Sequence, residues 1–178
     1  MRVKEGMINV RSLADLPVAV FGLGRSGLSA ALALRQSGAR VGAWDDDAKA
    51  RGTAAEAGVP LLDPYTRDWD EPVALVLSPG IPLNHPEPHP VVRLARQAGV
   101  DIIGDIELLS HSQTRATFLG VTGTNGKSTT TALIGHVFRV AKRPVQTGGN
   151  LGKPALELEP LDDRGTYVLE LSSYQLEL

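Results

Sequence analysis

Phe118-Leu-Gly-Val-Thr-Gly-Thr-Asn-Gly-Lys-Ser128 runs from apolar residues through a set of glycines to Lys-Ser, at the head of a helix-forming stretch that reaches Ala141. A strand, a glycine loop and a helix in this order form a phosphate-binding loop. Glycines let backbone N–H groups approach a phosphate with no side chain in the way. The helix N-terminus adds unpaired donors and partial positive charge. Lys127 supplies a full cation to the outer phosphates, and Ser128 offers a hydroxyl to a magnesium ion. The strict pattern G-x-x-x-x-G-K-[ST] asks for glycine at 121. This chain has Val121 there, between Gly120 and Gly123, so the loop is a variant.

Downstream, Pro144 to Thr147 is a short strand candidate before Gly148-Gly-Asn150, and Tyr167-Val-Leu-Glu-Leu171 is another. Glu170 lies inside that apolar run. A buried carboxylate is costly unless it is paired or bound to metal, and a phosphate-loop enzyme needs an acidic magnesium ligand on a neighbouring strand. Ser172, Ser173 and Gln175 give polar reach beyond the strand end. Asn150 is a neutral donor and acceptor that suits either a substrate contact or a simple turn.

Upstream, Val18 to Phe21, Arg40 to Trp44 and Val73 to Leu77 read as strands. Ser26 to Gln36 and Ala48 to Ala57 read as helices between them, the first with an apolar face of Leu28, Ala31, Leu32 and Leu34. This alternation predicts a parallel sheet covered by helices. Gly22-Leu-Gly-Arg-Ser-Gly27 is a full G-x-G-x-x-G between strand and helix, and Asp45 closes the next strand near the spacing that reaches a ribose hydroxyl. The motif reports a diphosphate at a helix N-terminus, and NAD and a UDP-sugar both carry one. Ser78-Pro-Gly80 ends the third strand, where ligands of open α/β sheets bind. The proline-rich stretch 81–90 is expected to be irregular. Val91 to Ala98 resumes as helix, Val100 to Ile103 as strand, and Ile106 to Ser110 as a helical turn or two. The polar run 111–116 marks a domain boundary. The expected organisation is therefore a Rossmann-like parallel-sheet domain over 1–113, then the first part of a P-loop ATPase domain over 114–178. So few strands after the P-loop predict a piece of a longer protein.

The whole chain has 178 residues, a hydrophobic fraction of 42%, a net charge of −2 and no cysteine. This is enough apolar material for a core. The charge excludes a bulk basic field for non-specific nucleic-acid binding. The missing thiols exclude disulfides, Cys-zinc sites and thiol catalysis. No run approaches the ~18 apolar residues of a membrane span. The first seventeen residues lack an apolar leader core, so the expected address is cytoplasmic. The four histidines, His85, His89, His111 and His136, show no metal-ligand spacing.

Taken together, these residues resemble a known family. Gly120 to Thr129 is similar to the ATP loop of the Mur ligases and their folylpolyglutamate synthase relatives, and Gly148-Gly-Asn-Leu-Gly152 to their next block. Gly22 to Gly27, Ser78-Pro-Gly-Ile81, Gly104-Asp-Ile-Glu-Leu108 and Leu169 to Glu177 extend the resemblance to Mur ligases acting on UDP-N-acetylmuramoyl-L-alanine. The resemblance implies a ligase that uses ATP and Mg to convert the alanyl carboxylate to an acyl phosphate, which the amine of D-glutamate attacks. It further implies that Gly123, Thr124, Asn125, Gly126, Lys127, Ser128 and Thr129 hold ATP, with Lys127 and Glu170 catalytic and Ser128 and Glu170 on the metal. Gly24, Arg25, Ser26, Asp45, Ser78, Gly80, Asn150 and Gln175 would hold the UDP substrate. The implied partners are small molecules, with no nucleic acid or membrane insertion, and the implied state is a monomer. Family members continue well beyond residue 178, so turnover by this chain alone is not expected. The competing readings are an NAD(P)-dependent oxidoreductase, which leaves Gly126-Lys127-Ser128 unexplained, and a non-catalytic nucleotide-binding module. A sister ligase acting on another UDP-peptide or on folate is the third, and the first glycine loop argues against the folate version.

Overall fold

The computed structural model of the chain describes residues 6–66 and 68–178. The charged residues at 1–5 that entered the leader argument lie outside them. Two parallel sheets make up the frame. The first has the order β2-β1-β3-β4, built from β1 (Pro17–Phe21), β2 (Arg40–Trp44), β3 (Ala74–Leu77) and β4 (Asp101–Ile103). Its connections carry α1 (Arg25–Gln36), α2 (Ala48–Glu56) and α3 (Pro90–Gln97), and α4 (Asp105–Ser112) follows β4. The second sheet has the order β5-β7-β6, from β5 (Thr117–Val121), β6 (Val145–Gly149) and β7 (Thr166–Glu170), with α5 (Lys127–Val140) after β5.

Strand alternation divides the first sheet's side chains between two faces. Val18, Val20, Val76 and Val41 face α1, α4 and the short 3-10 turn Ala155–Glu157. Ala19, Phe21, Leu75 and Leu77 face the other way, onto Val91, Val92 and Ala95 of α3. All five residues of β1 are buried, as expected of a central strand in a doubly covered parallel sheet. The helix face expected on α1 does meet the core, and it is wider than expected. Leu28 and Leu32 are only partly buried, while Ala30, Ala31, Ala33 and Leu34 are fully buried. Small side chains let α1 sit close to the sheet and to the 155–157 turn at once, so the buried stripe is made of alanines together with Leu34.

Several bounds also shift. α4 runs two residues past the expected turn, and His111 and Ser112 end it. Asp105 and Glu107 in its first turn complement the helix dipole, and His111 sits in its last turn. β6 extends through both glycines to Gly149, because it is register-paired with β7 along its whole length. The polar run after α4 separates the two sheets in sequence. The apolar core nevertheless runs across both, joining Val20 and Leu109 to Leu156, Tyr167 and Leu169.

Tyr167 anchors the second sheet. Its side chain is fully buried and its ring stacks on Phe118 at 5.2 Å. Its hydroxyl reaches Gln113 Oε1 at 3.0 Å and donates to the Glu159 carbonyl at 2.8 Å. Burial pushes the phenol up to about 12. The sign follows from that rise: folding stability is intact below the ordinary value of 10.0 and falls as pH climbs from there towards about 12. Tyr167→Phe is expected to cost about 1–2 kcal/mol at neutral pH in urea unfolding. The variant should also lose less stability than the parent above pH 10.0. Equal slopes in the two proteins would contradict this account.

Candidate functional sites at two glycine loops

The first loop leaves the C-terminal end of β1. Gly22 takes a φ of +87°, and a Cβ there would fall 2.6 Å from Ser78 Cβ and 2.8 Å from Ile81 Cγ1. The glycine loop and the Ser78-Pro-Gly80 turn are thus in contact, as two neighbouring parallel strands require. Gly24 caps α1 without any side-chain bond, and space is open where its Cβ would be. The first N–H groups of α1, at Arg25 and Ser26, therefore point out of the helix end. Gly80 is open in the same way.

Asp45 closes β2 beside this loop. Its Oδ2 accepts from Leu23 N–H at 2.5 Å and its Oδ1 from Asp47 N–H at 2.8 Å. The carboxylate thus holds the glycine turn in shape, a contact that the ribose spacing did not suggest.

The second loop leaves β5 and enters α5 at Gly126, which is left-handed at φ +77° and caps the helix with no side-chain bond. Gly123 is also at positive φ, +141°. Thr124, Asn125, Gly126, Ser128 and Thr129 are exposed. Lys127 folds back over the loop, donating from Nζ to the Gly123 carbonyl at 2.6 Å and the Thr124 carbonyl at 3.5 Å. Its ammonium therefore lies against the backbone of its own loop.

Glu170 ends β7, in register with Val121 of β5 on one side and Gly149 of β6 on the other. It sits at the foot of the second loop and is 2% exposed. Asn150 donates from Nδ2 to Glu170 Oε1 at 3.1 Å and from its N–H to the Glu170 carbonyl at 2.8 Å. Gly149 makes this approach feasible, because a Cβ there would lie 2.4 Å from the Glu170 carbonyl oxygen. A buried carboxylate and an exposed hydroxyl are hard oxygen donors that suit Mg. Among the described residues no group of three or more His, Cys, Asp or Glu side chains could hold a metal. Phosphate oxygens and water would have to complete the coordination shell, as is usual for Mg at a nucleotide.

The first loop is tied to the turn that follows β6. Arg25 donates from Nη2 to the carbonyl of Gly152, just after Asn150. Gln175 turns inward and is 7% exposed. Its Oε1 accepts from Ser172 N–H at 3.1 Å, and its Nε2 donates to Asp105 Oδ1 at 3.3 Å. Asp105 was not among the expected site residues. The available signal was its place at the head of a helix within Gly104-Asp-Ile-Glu-Leu108.

Residues 121–178 match the Mur ligase middle domain. The chain is also 51% identical over 177 residues to the UDP-N-acetylmuramoylalanine--D-glutamate ligase of Rhodospirillum rubrum. This chain belongs to the Mur ligase family. That alignment takes in 97% of the chain and 37% of the relative. The ligase of the same name from Caulobacter vibrioides is 50% identical over 178 residues, covering 97% of the chain and 38% of that protein. The chain therefore spans well under half the length of these Mur ligase relatives. A solved structure, the UDP-N-acetylmuramate:L-alanyl-gamma-D-glutamyl-meso-diaminopimelate ligase of Neisseria meningitides, shares the fold with a TM-score of 0.53 and 20% identity. It covers 87% of this chain and 52% of its own. Among the described residues no helix is long and apolar enough to cross a membrane.

Proposed function

We propose that this chain forms the UDP-substrate site and part of the ATP site of a ligase that joins D-glutamate to UDP-N-acetylmuramoyl-L-alanine. The observation that carries the reading is the pair of glycine loops, each opening a helix at the C-terminal end of a parallel sheet, together with the bond from Arg25 of the first loop to Gly152 in the turn after β6. One loop alone fits many nucleotide proteins. Two in one chain fit a reaction that brings a nucleotide-linked acid to ATP. Residues 1–113 form the UDP-binding domain, and 114–178 begin the ATP domain.

The N–H groups of Gly24, Arg25 and Ser26 take the UDP diphosphate, with Ser78 and Gly80 completing the pocket and Asp45 beside the ribose. Asn150 and Gln175 serve the muramoyl-alanine side. The backbone of Gly123 to Gly126, with Thr129, cradles ATP. Lys127 offsets the negative charge that builds up when the alanyl carboxylate oxygen attacks the γ-phosphorus and ADP leaves. Ser128 and Glu170 would hold Mg, which would supply Lewis-acid stabilisation of the transferring phosphoryl group. The amine of D-glutamate then displaces phosphate from the acyl carbon, and the amide forms. The protein acts in the cytoplasm as a monomer, and the amino-acid site lies outside these residues.

Calorimetry with UDP-N-acetylmuramoyl-L-alanine, against NAD as comparison, tests this reading. Saturable binding of the UDP compound without NAD binding is expected. NAD binding alone would replace the ligase with an oxidoreductase, and binding of neither would refute a formed UDP pocket in this chain.

A further inference from the structure

Glu170 is 2% exposed, and its two oxygens are not alike. Oε1 accepts from Asn150 Nδ2 at 3.1 Å. Among the described residues, the fully enclosed side-chain atoms left without a partner belong to Ser29, Asp105 and Thr131. Glu170 Oε2 also has no partner among the described residues, yet it is not one of these, so it keeps an opening to its surroundings. One oxygen of the carboxylate is engaged, and the other is open. An ionised carboxylate only accepts, so the Asn150 amide has to turn its NH2 towards Glu170. The amide oxygen stays free to accept from a substrate N–H or hydroxyl.

The backbone holds Asn150 in this place. Its own N–H donates to the Glu170 carbonyl at 2.8 Å, and the Gly149 N–H donates to the Lys153 carbonyl at 2.9 Å. Both approaches need glycine. A Cβ at Gly149 would lie 2.4 Å from the Glu170 carbonyl oxygen, and one at Gly148 would lie 2.3 Å from the Lys153 carbonyl oxygen. Arg25 fastens the same turn through the Gly152 carbonyl. The amide is therefore fixed to the strand end that carries Glu170.

We propose that Asn150 sets the metal preference of this site: by engaging Oε1 it presents Glu170 to a divalent cation through Oε2 alone, which favours Mg over Ca. The proposal rests on the ATP and Mg reading above. Mg is small, demands near-octahedral geometry and keeps several waters, so a single oxygen from one carboxylate suits it. Ca takes about six to eight oxygens and readily holds both oxygens of one carboxylate. Among the described residues no group of three or more His, Cys, Asp or Glu side chains could hold a metal, so the way Glu170 is presented carries much of the choice. Asn150 touches the carboxylate rather than the ion, and it acts as a positioning residue. Such partners of a metal ligand orient it and tune what it binds.

The test is titration of a fluorescent ATP analogue in excess Mg and, separately, in excess Ca, with the UDP compound left out. The readout is the ratio of the two affinities. Wild type should favour the Mg complex. Asn150→Ala frees Oε1 and should move the ratio towards Ca by about tenfold, the size typical of removing a group that orients a metal ligand. Asn150→Asp has nearly the size of the original and replaces the donor with a second carboxylate. It should move the ratio further, because Ca welcomes additional oxygens. A purely structural role would weaken both complexes by one factor and leave the ratio where it was. An unchanged ratio in the two variants therefore overturns the proposal, and so does a wild type with no preference between the metals. Glu170→Gln checks the reading underneath. It should weaken both complexes, whereas unchanged affinities would mean that Glu170 is not at the metal. A wild type that binds neither complex would refute the ATP site itself, and the inference falls with it.

Discussion

Gly27→Ala is expected to abolish the proposed binding of UDP-N-acetylmuramoyl-L-alanine and to lower stability by about 3 kcal/mol or more. The cause is backbone, not ligand. A Cβ at Gly27 would stand 1.7 Å from the Gly22 carbonyl oxygen and 2.9 Å from its carbon. No side chain can swing aside to relieve this, since the obstacle is main chain. Either α1 withdraws from β1 or the glycine turn opens, and each outcome dismantles the Leu23–Asp45 contact and the helix-end donors. Gly24→Ala is the control. Nothing lies within 4 Å of its Cβ position, and its φ of −64° suits alanine. Its stability should stay within about 0.5 kcal/mol of the parent, while the added methyl at the helix end crowds the diphosphate and weakens binding. Urea unfolding and calorimetry on the two variants separate fold from site. Similar stability losses in both would refute the close-approach argument.

Lys127→Ala is the second large effect. Its Nζ bonds only exposed loop carbonyls, so its removal should leave the urea midpoint nearly unchanged. Removing a full cation from a phosphate cradle should weaken ATP binding by roughly a hundredfold, and turnover of a full-length ligase by at least as much. A fluorescent ATP analogue titrated with and without Mg provides the binding readout. An unchanged affinity would mean that the second loop is not the nucleotide site. Asn125, exposed in the same loop, is a useful comparison because its side chain carries no charge.

The sequence made the local elements readable. β2 has the expected bounds, and α5 begins at the expected Lys127, because apolar runs and glycine punctuation act over a few residues. Glu170 was found because a charge in an apolar strand stands out on its own. What escaped the reading depends on partners far along the chain. The Arg25–Gly152 bond spans 127 residues, and the Gln175–Asp105 bond spans 70. No window of periodicity reaches so far. On α1 the expected Ala31 and Leu34 are fully buried, but Ala30 and Ala33 were missed: leucine signals burial in general, whereas the closeness of two packed elements favours alanine. The turn at 155–157 carries little helical pattern of its own, and only its burial against α1 and α4 gives it a role.

That turn has a consequence for synthesis on the ribosome. The N–H of Ile8 bonds the carbonyl of Leu156 at 3.0 Å, and Ile8 and Val10 are buried in the same core as Leu156 and Leu158. The segment around Ile8 is therefore completed by a turn that lies far later in the sequence. The first sheet can pair its strands while the nascent chain grows, but the apolar side of α1 and α4 stays uncovered until residue 156 emerges. Contacts this distant in sequence are slow to form, and a partly covered core is the state that chaperones meet. Truncation anywhere between the end of the first sheet and the 155–157 turn should yield a chain with a native-like sheet and an exposed, aggregation-prone flank.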